Sequence, residues 1–347
     1  MLFDSMDTIV KRYADSKKSL LLLVGEKSDF EHSRLFRMEC DICGAIFPQV
    51  IYEEQNYDDK IIVVELKQKT KILLTKFKNF DKQKIKTDVK DLVVFVDGLS
   101  SNIDMFLEKL YEATPLKTNI IGAGAGKMTL QQEKVLFTKD TIIEDGALVL
   151  MSSWHFSISA KHGWQKIAGP FIANDVKKNI LNSIDYRDAF EVYKEIVESD
   201  SKLTFSEDNF FDIAKSYPLG IAKLNDEVLV RDPIAKKDNS LVLVGDMDKN
   251  SVMYILKGEK TSLIESAQIA AKEVASSKKS INGVFIVDCI SRVLFLEDEF
   301  TKELKVIKES ISKDDVRMFG VLSLGEIANT NHDYIDFYNK TCVIGVY

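Results

Sequence analysis

The sequence predicts an α+β fold of two quasi-duplicated halves, with mixed, largely antiparallel sheets that are covered by helices. Two observations support this prediction. Short apolar runs rich in β-branched residues alternate with amphipathic stretches of helical length. A strand–helix–strand–turn–strand pattern also occurs twice, once from "VVFVDGL" and again from "GVFIVDCI". We therefore expect one domain over residues 1–187 and a second over residues 188–347.

Hydrophobic periodicity places the elements along the chain. The stretch Phe3–Lys18 is amphipathic, which predicts a helix, and the run "SLLLLVG" after it predicts a buried strand. Ser262 and Glu265 have the spacing of a capping box at the start of a later helix. Further strands are predicted at Lys60–Leu66, Asp91–Gly98, Val135–Phe137, Ala147–Met151 and Gly283–Asp288. Further helices are predicted at Asn102–Ala113, Asp188–Glu198, Thr261–Ser277 and Glu299–Ile311.

The stretch "IIGAGAGKMT" is similar to a phosphate-binding loop, but its spacing excludes one. A Walker loop has its second glycine five residues after the first, followed by Lys and a hydroxyl residue. Here Gly126 follows Gly122 by only four residues, and Met128 stands in place of the hydroxyl. The G-x-G-x-G spacing also fails the dinucleotide fingerprint. We expect a tight strand turn with glycines at positive φ, and Lys127 as an ordinary exposed lysine.

The internal repeat relates this glycine-rich stretch to the C-terminal third of the chain. Gly122 is expected to correspond to Gly320 in "GVLSLGEI", and Phe137 to Phe337. An earlier stretch, Ile42–Tyr52, is a candidate third glycine turn of the same kind. Related halves often meet at a shared cleft, which is where a ligand is expected.

Composition excludes several classes of function. The net charge is −7, with 45% apolar and 29% charged residues, which is typical of a soluble globular protein. Because there is no basic excess, nucleic acid or an anionic membrane is not expected as the main partner. No segment reaches membrane-spanning length, and no signal peptide is recognisable. The four cysteines are too few and too scattered for a disulfide framework, so a cytoplasmic protein is expected.

The histidines and cysteines do not form a metal-ligand pattern. None of the four histidines belongs to an HExxH motif, and no two have close helical spacing, so a zinc enzyme is not expected. Cys40 and Cys43 have C-x-x-C spacing, but a second such pair is missing. Two thiols do not fill a tetrahedral site, and two incidental cysteines near a strand are the simpler interpretation.

Polar residues near predicted strand ends are the candidates for binding. In "VRDPI", Arg231 and Asp232 form either a structural ion pair or an arginine fork for a ligand carboxylate. In "VDCISR", Arg292 could favour the thiolate of Cys289, although a buried thiol beside a surface arginine is the preferred interpretation. In "SLGEI", Glu326 suits an amine or caps backbone amides.

Taken in order, these stretches resemble the FIST sensory domain, in both its N-terminal and C-terminal parts. The resemblance extends from about residue 20 to the end of the sequence, and its order and joint spacing make it specific. The sequence departs from the family at "CGAIFP", where many members have a G-x-S-T-x-G-E-I pattern. The resemblance rests on the stretches "CGAIFPQVIYE", "IIGAGAG", "VLFTKD", "HGWQKIAGPF", "YRDAFEVY", "YPLGI", "VRDPI", "FIVDCISR", "FGVLSLGEI" and "DFYNKTCVIGV".

The resemblance implies a signal-input module that binds a small ligand such as an amino acid. No kinase, cyclase or methyl-accepting segment is recognisable, so output is expected through a partner protein such as a histidine kinase. In this interpretation Arg231 and Arg292 hold an acidic group and Glu326 a cationic one. A subset of the family is haem-binding and senses nitric oxide, which would make His155 or His162 an axial ligand.

One alternative from a different class remains open, namely a cysteine-dependent hydrolase that uses Cys289 and one histidine. The leading hypothesis is a non-enzymatic sensor, for which no catalytic residue, metal or obligatory cofactor is expected. Its candidate ligand-binding residues are Cys43, Gly44, His162, Trp164, Arg231, Asp232, Cys289, Arg292, Gly325 and Glu326.

Overall fold

The protein is described by a computed structural model that covers residues 1–67, 70–206, 208–223, 228–311, 316–329 and 334–347. Within these residues the strands form three six-stranded sheets and one eight-stranded sheet. None of the helices described has the length and apolarity needed to cross a membrane.

Three consecutive parts of the chain build the three six-stranded sheets, and we call them the first, second and third repeats. The first repeat contains β1 (Leu2–Phe3), α1 (Met6–Tyr13), β2 (Leu20–Gly25), β3 (Ile42–Phe47), β4 (Gln49–Tyr52), β5 (Gln55–Tyr57) and β6 (Ile61–Glu65). The second contains β7 (Lys71–Lys76), β8 (Asp91–Asp97), α2 (Ile103–Ala113), β9 (Asn119–Ala125), β10 (Leu136–Thr138), β11 (Ile142–Ile143) and β12 (Gly146–Ser152).

The third repeat is interrupted by an inserted domain. It starts with β13 (Ser157–Lys161). The insertion contains β14 (Gln165–Lys177), β15 (Ile180–Ile184), β16 (Arg187–Asp188), α3 (Ala189–Ser201), α4 (Phe210–Ala214), β17 (Leu219–Ala222), β18 (Val228–Arg231), β19 (Pro233–Lys237), β20 (Ser240–Leu243) and β21 (Val252–Lys257). The repeat then continues with α5 (Lys260–Ser276), β22 (Gly283–Cys289), α6 (Ile290–Leu296), α7 (Phe300–Ile311), β23 (Arg317–Ser323), β24 (Glu326–Ala328), β25 (Asp336–Tyr338) and β26 (Cys342–Val346).

The three six-stranded sheets share one strand order. The orders are β1-β6-β2-β3-β10-β11, β7-β12-β8-β9-β24-β25 and β13-β26-β22-β23-β4-β5. In each sheet the third and fourth strands are parallel, and every other neighbouring pair is antiparallel. The sheets are therefore mixed and largely antiparallel, as the sequence predicts, and the duplication extends to a third copy.

Each repeat donates a hairpin to the sheet of another repeat. The hairpin β4–β5 pairs with β23, β10–β11 pairs with β3, and β24–β25 pairs with β9. The exchange is cyclic, so no repeat completes its sheet alone. The parallel strands β3, β9 and β23 also contact one another, which places the three repeats around a common axis. Rings of the central core meet there, with centroids 5.3 Å apart for Phe47 and Phe95 and 5.4 Å apart for Phe285 and Phe319.

The eight-stranded sheet contains strands from both sides of residue 187. The strands β14 and β15 pair with β21 and β20, which lie beyond that residue. The helices α3 and α4 cover this sheet over a core of their own that includes Tyr193 and Phe210. The division into domains at residues 187 and 188 stays a prediction.

The predicted strands and helices are found with boundaries shifted by a few residues, the largest change being the first helix, which spans only Met6–Tyr13. The predicted capping box is wrong. The helix α5 starts one turn earlier than the box requires, with Glu259 as its N-cap, and the Ser262 hydroxyl donates to the Glu259 carbonyl at 2.9 Å. Ser262 thus lies inside the first turn, where its hydroxyl bonds back to the backbone.

The glycine-rich stretch forms strand β9 as far as Ala125, and none of its glycines has a positive φ, so that expectation is wrong. Among the glycines described, positive φ occurs at Gly163, Gly169, Gly245 and Gly325. Lys127 is not free either, because its Nζ lies 2.6 Å from the Glu133 carboxylate.

The expected match of Phe137 with Phe337 is also wrong. Phe137 lies in the first strand of its hairpin, opposite Gly44. Phe337 lies in the second strand of its hairpin, and its partner Ile327 is the residue opposite Gly122. Phe137 therefore corresponds to Ile327.

Candidate functional site

Most of the predicted C-terminal residues converge at the carboxyl ends of β22 and β23. Cys289 ends β22 and is in register with Ser323, the last residue of β23. Glu326 follows after a short turn and begins β24, and all three residues are buried. The parallel pair brings them together because both of its strands end at one edge of the sheet.

Glu326 is bound within the protein. Its Oε1 accepts from the Ser323 hydroxyl at 2.7 Å, and its Oε2 accepts from the Thr341 backbone N–H at 3.2 Å. Burial raises the pKa of this carboxyl to about 8, although these hydrogen bonds and Cys289 act against the rise. Gly325 precedes it with φ 145°, and a Cβ there would lie 2.2 Å from the Phe337 ring. At neutral pH Glu326 is therefore mostly protonated, which does not suit a role as the anionic partner of an amine.

Asp232 forms a buried ion pair with Lys340. The Lys340 Nζ lies 3.1 Å from Asp232 Oδ2, and it also donates to the Lys215 carbonyl at 2.9 Å. The indole of Trp164 covers this ammonium with its ring centroid 4.8 Å away, and its Nε1 donates to the Lys340 carbonyl at 3.0 Å. The Ser291 hydroxyl donates to the same carboxylate oxygen at 3.2 Å. Trp164 and Asp232 thus hold a lysine that the sequence analysis did not single out.

Arg292 is also paired internally. Its Nη2 lies 2.5 Å from Glu303 Oε2, and its Nε lies 3.1 Å from Asp288 Oδ1, close enough for an ion pair but without hydrogen-bond geometry. The Nη1 donates to the His162 carbonyl at 2.6 Å, and Nη2 also donates to the Leu263 carbonyl at 3.2 Å. All three charged side chains are fully buried. We call Asp288, Arg292 and Glu303 the buried ionic cluster.

Two residues of the buried ionic cluster belong to the one group of potential metal ligands found in the described parts of the chain. One ligand atom each from Asp288, Glu303 and Cys342 lie within 4.8 Å of one another. Burial raises the pKa of Glu303 well above its usual range, with Arg292 lowering it and Asp288 raising it. Because Arg292 already supplies the cation, this arrangement fits a structural ion pair better than a metal site.

The surroundings of Cys289 do not favour the thiolate that a nucleophilic cysteine needs. Burial raises the pKa of its thiol well above the usual range, and Glu326 raises it further. The Arg292 guanidinium is directed to Asp288 and Glu303 instead. No histidine in the described residues hydrogen-bonds this thiol. A catalytic cysteine needs a nearby base and a lowered pKa.

Cys43 and Gly44 lie apart from the other candidates, in the central strand β3 of the first repeat. Cys43 is fully buried and its thiol donates to the Leu20 carbonyl at 3.7 Å. A Cβ on Gly44 would lie 2.3 Å from the Leu22 carbonyl oxygen. Both residues occupy positions in the packed core.

The surroundings of the histidines do not fit a haem. His155 is exposed in the segment between β12 and β13, with φ 58°. His162 accepts a hydrogen bond at Nδ1 from the Trp164 backbone N–H at 3.0 Å, and burial lowers its pKa to about 4. A neutral imidazole can ligate iron, but neither of these histidines lines the cleft of about 540 Å³ between β6, α1 and β23. His332 lies outside the described residues.

Arg231 differs from the other candidates because it is buried without a counter-ion. Its Nε donates to the Asp246 carbonyl at 2.8 Å, and its Nη1 donates to the carbonyls of Val230 and Phe337 at 3.1 and 3.2 Å. None of the carboxylates described lies within 4.0 Å of its nitrogens, and Nη2 has no hydrogen-bond partner among those residues. Only 5% of the residue is exposed. A guanidinium in this state is suited to a carboxylate from outside the chain.

Several aspartates surround Arg231 at longer range. Burial lowers the pKa of Arg231, whereas the charges of Asp104, Asp336, Asp246 and Asp248 raise it. Asp336 forms an ion pair with Lys223, but the other three form none in the described parts of the chain.

We call Arg231 and these three aspartates, Asp104, Asp246 and Asp248, the Arg231 site. Sequence reasoning identified its arginine and missed its aspartates. The acidic pair in "GDMDKN" was a usable signal. Asp104 carried none, because it lies in another repeat on the exposed face of α2.

Two family models match the chain. The FIST N domain matches residues 28–187, and the FIST C domain matches residues 189–329. No curated protein matches it. The chain therefore belongs to the FIST family, whose domains are sensory domains of signal transduction.

Proposed function

We propose that this protein is a sensor that binds a cationic α-amino acid at the Arg231 site and signals through a partner protein. The observation that carries the proposal is the buried guanidinium of Arg231, which has no carboxylate partner within 4.0 Å among the residues described. The aspartates around Arg231 act only at longer range, so its guanidinium is left to bind a carboxylate from outside the chain directly.

The charge of the Arg231 site selects the class of ligand. One guanidinium faces three aspartates that form no ion pair, which leaves the site with an excess of negative charge. Burial raises the pKa of Asp104, Arg231 lowers it, and Asp246 is the first of its neighbours that raise it. A ligand with one carboxylate and two cationic groups, such as L-arginine or L-lysine, complements this arrangement.

The position of the site suggests how binding becomes a signal. Asp104 belongs to α2 in the second repeat, whereas Arg231 ends β18 in the insertion. The Arg231 side chain also donates to Phe337 in β25 of the third repeat. A ligand that bridges these parts favours whichever arrangement of them binds it better. A histidine kinase or another output protein would respond to that shift.

The test is calorimetric titration with L-arginine, L-lysine, L-alanine and L-glutamate. Binding of the two basic amino acids is expected, with L-glutamate weakest. Arg231→Gln and Asp104→Asn should each weaken binding by about 10-fold or more, since a hydrogen bond to a charged group contributes ~1.5–3 kcal/mol. Arg187→Gln is the matched control, because Arg187 is exposed and pairs only with Glu195. Asp104 is exposed, so Asp104→Asn tests the proposal even if Arg231→Gln fails to fold. Absence of binding by all four amino acids would refute it.

A further inference from the structure

A second possible site lies at the junction of the first and third repeats, far from the Arg231 site in the sequence. A cleft of about 540 Å³ opens between β6 and α1 on one side and the start of β23 on the other. Tyr52 and Phe319 form part of its wall, and Arg12 and Arg317 lie at its polar side. We call it the repeat-junction cleft. None of the residues of the Arg231 site lines it.

The strand registers show that this junction differs from its two counterparts. Phe319 precedes Gly320 in β23, as Cys43 precedes Gly44 and Ile121 precedes Gly122 in the other repeats. Phe319 is 7% exposed, whereas both of its counterparts are 0% exposed. The three positions thus differ only slightly in exposure, and Phe319 alone lines a cleft.

The opposite wall shows the same difference. Glu65 of β6 corresponds by register to Met151 and Val346, through their partners in the neighbouring strands. Met151 and Val346 are buried, whereas Glu65 is exposed and Val64 beside it is partly exposed. Of these three equivalent positions, the one at the junction of the first and third repeats is thus exposed and polar, whereas the other two are buried and apolar.

The free charges in the repeat-junction cleft are positive. Arg12 and Arg317 form no ion pair in the described parts of the chain. The acidic residue of the lining, Glu65, is already paired with Lys18 at 2.5 Å. Both guanidinium groups lie close enough to the Met1 amino group to affect it, and burial together with these two charges lowers its pKa to about 6. Two unpaired arginines that converge on one small cleft are unusual in a chain with a net charge of −7.

We propose that the repeat-junction cleft binds a small organic anion. A carboxylate or phosphate group lies between Arg12 and Arg317, since the planar guanidinium matches either oxyanion with paired hydrogen bonds. The apolar body of the ligand, best a flat ring, packs against Tyr52 and Phe319. The volume is within the range of small-molecule sites. The site lies between the first repeat and the third, whose sheet receives the hairpin β4–β5. If the protein is a sensor, as proposed above, this cleft is a second input, independent of the amino-acid site.

The test uses phenyl phosphate, benzoate and benzylamine as probes in calorimetric titrations of the whole chain. Phenyl phosphate or benzoate should bind, and the stronger of the two identifies the preferred oxyanion, whereas the cation benzylamine should not bind. Arg12→Gln and Arg317→Gln should each lower the affinity for the anion by about 10-fold or more. Both arginines are exposed, so neither change is expected to prevent folding.

A control variant makes the result specific. Arg37→Gln removes another exposed arginine, at the end of a short 3₁₀ helix outside the cleft, and should leave the affinity unchanged. The amino-acid site is tested with other ligands and at other residues, Arg231 and Asp104, so failure of the amino-acid proposal is distinguishable from failure of this one. The proposal is overturned if neither anion binds at millimolar concentration, or if the double variant of Arg12 and Arg317 binds as tightly as the unmodified protein.

Discussion

Gly122 and Gly320 occupy the same position in two repeats, each directly against a carbonyl oxygen of the neighbouring parallel strand. A Cβ on Gly122 would lie 1.8 Å from the Val94 oxygen, and one on Gly320 would lie 2.0 Å from the Ile286 oxygen. Gly44 repeats the relationship in the first repeat, at 2.3 Å from the Leu22 oxygen. The glycines are required for close approach of two strands, not for a left-handed backbone.

Replacing these glycines by alanine is therefore expected to destabilise the fold at all three positions. Gly122→Ala and Gly320→Ala should each cost about 3 kcal/mol or more, at the upper end of the range for overpacking, because backbone must move. Gly126→Ala is the control, since its Cβ would meet only the side chain of Leu324, with Cδ1 at 2.3 Å. Urea unfolding monitored by circular dichroism measures the differences. Equal small losses at Gly122 and Gly126 would contradict the packing argument.

The buried ionic cluster predicts a large effect at Arg292. Arg292→Met leaves Asp288 and Glu303 without their cation, and removing one partner of a buried pair typically costs about 3–5 kcal/mol. The free energy of unfolding in urea checks this. Arg187→Gln is the control, because its ion pair with Glu195 is exposed and should contribute little. A small loss at Arg292 would mean that the cluster is not held by its charge.

Glu326 predicts that stability falls as the pH rises above neutrality. Its pKa is raised from 4.5 to about 8 in the folded protein, so within this interval the folded state holds a proton that the unfolded chain releases. Stability is then fully present below pH 4.5 and is lost as the pH rises through about 8, by at most ~1.4 kcal/mol per pH unit.

The measurement is best made between pH 6.5 and 8. The pKa of His162 is lowered from 6.5 to about 4, so below 6.5 it makes stability rise with pH and opposes Glu326. The Met1 amino group, with its pKa lowered from 8.0 to about 6, opposes Glu326 within the window, so the slope is compared between variants that share this group. Glu326→Gln should flatten the slope of unfolding free energy against pH above that value, without removing it, because burial also raises the pKa of Asp288, Glu303 and Asp232. The exposed Glu309→Gln is the control. An unchanged slope in Glu326→Gln would disprove the role assigned to this carboxyl.

The thiols are expected to be inert in the folded protein. All four cysteines are free and buried, and burial raises the pKa of Cys289 and Cys342 well above the usual range. A maleimide probe at pH 7.5 should label none of them quickly in native protein and all of them in guanidinium chloride. Mass spectrometry of the digested protein locates the labels. Selective rapid labelling of Cys289 would instead revive the cysteine-hydrolase alternative.

Much of the fold could be predicted because it depends on local pattern. The apolar run of β2 and the amphipathic stretch of α2 are recognisable from a few neighbouring residues. The correspondence of β9 and β23, the strands that contain Gly122 and Gly320, was also recognisable, because each of them pairs with a strand of its own repeat. The hairpin exchange was not, since β4 pairs with β23 across most of the chain and no local pattern specifies such a register.

The candidate site divides in the same way. Sequence alone determined that Arg231 and Arg292 stand at strand ends with chemistry suited to a carboxylate, and it placed the chain near the FIST family. Only the tertiary structure decided that Arg292 has Asp288 and Glu303 within 4 Å and that Arg231 has no such partner in the described residues. The physical reason is that a charge becomes available to a ligand only when nothing folded against it neutralises it. Several of the groups that fold against the two arginines come from distant parts of the chain, such as the His162 carbonyl at Arg292 and the Phe337 carbonyl at Arg231.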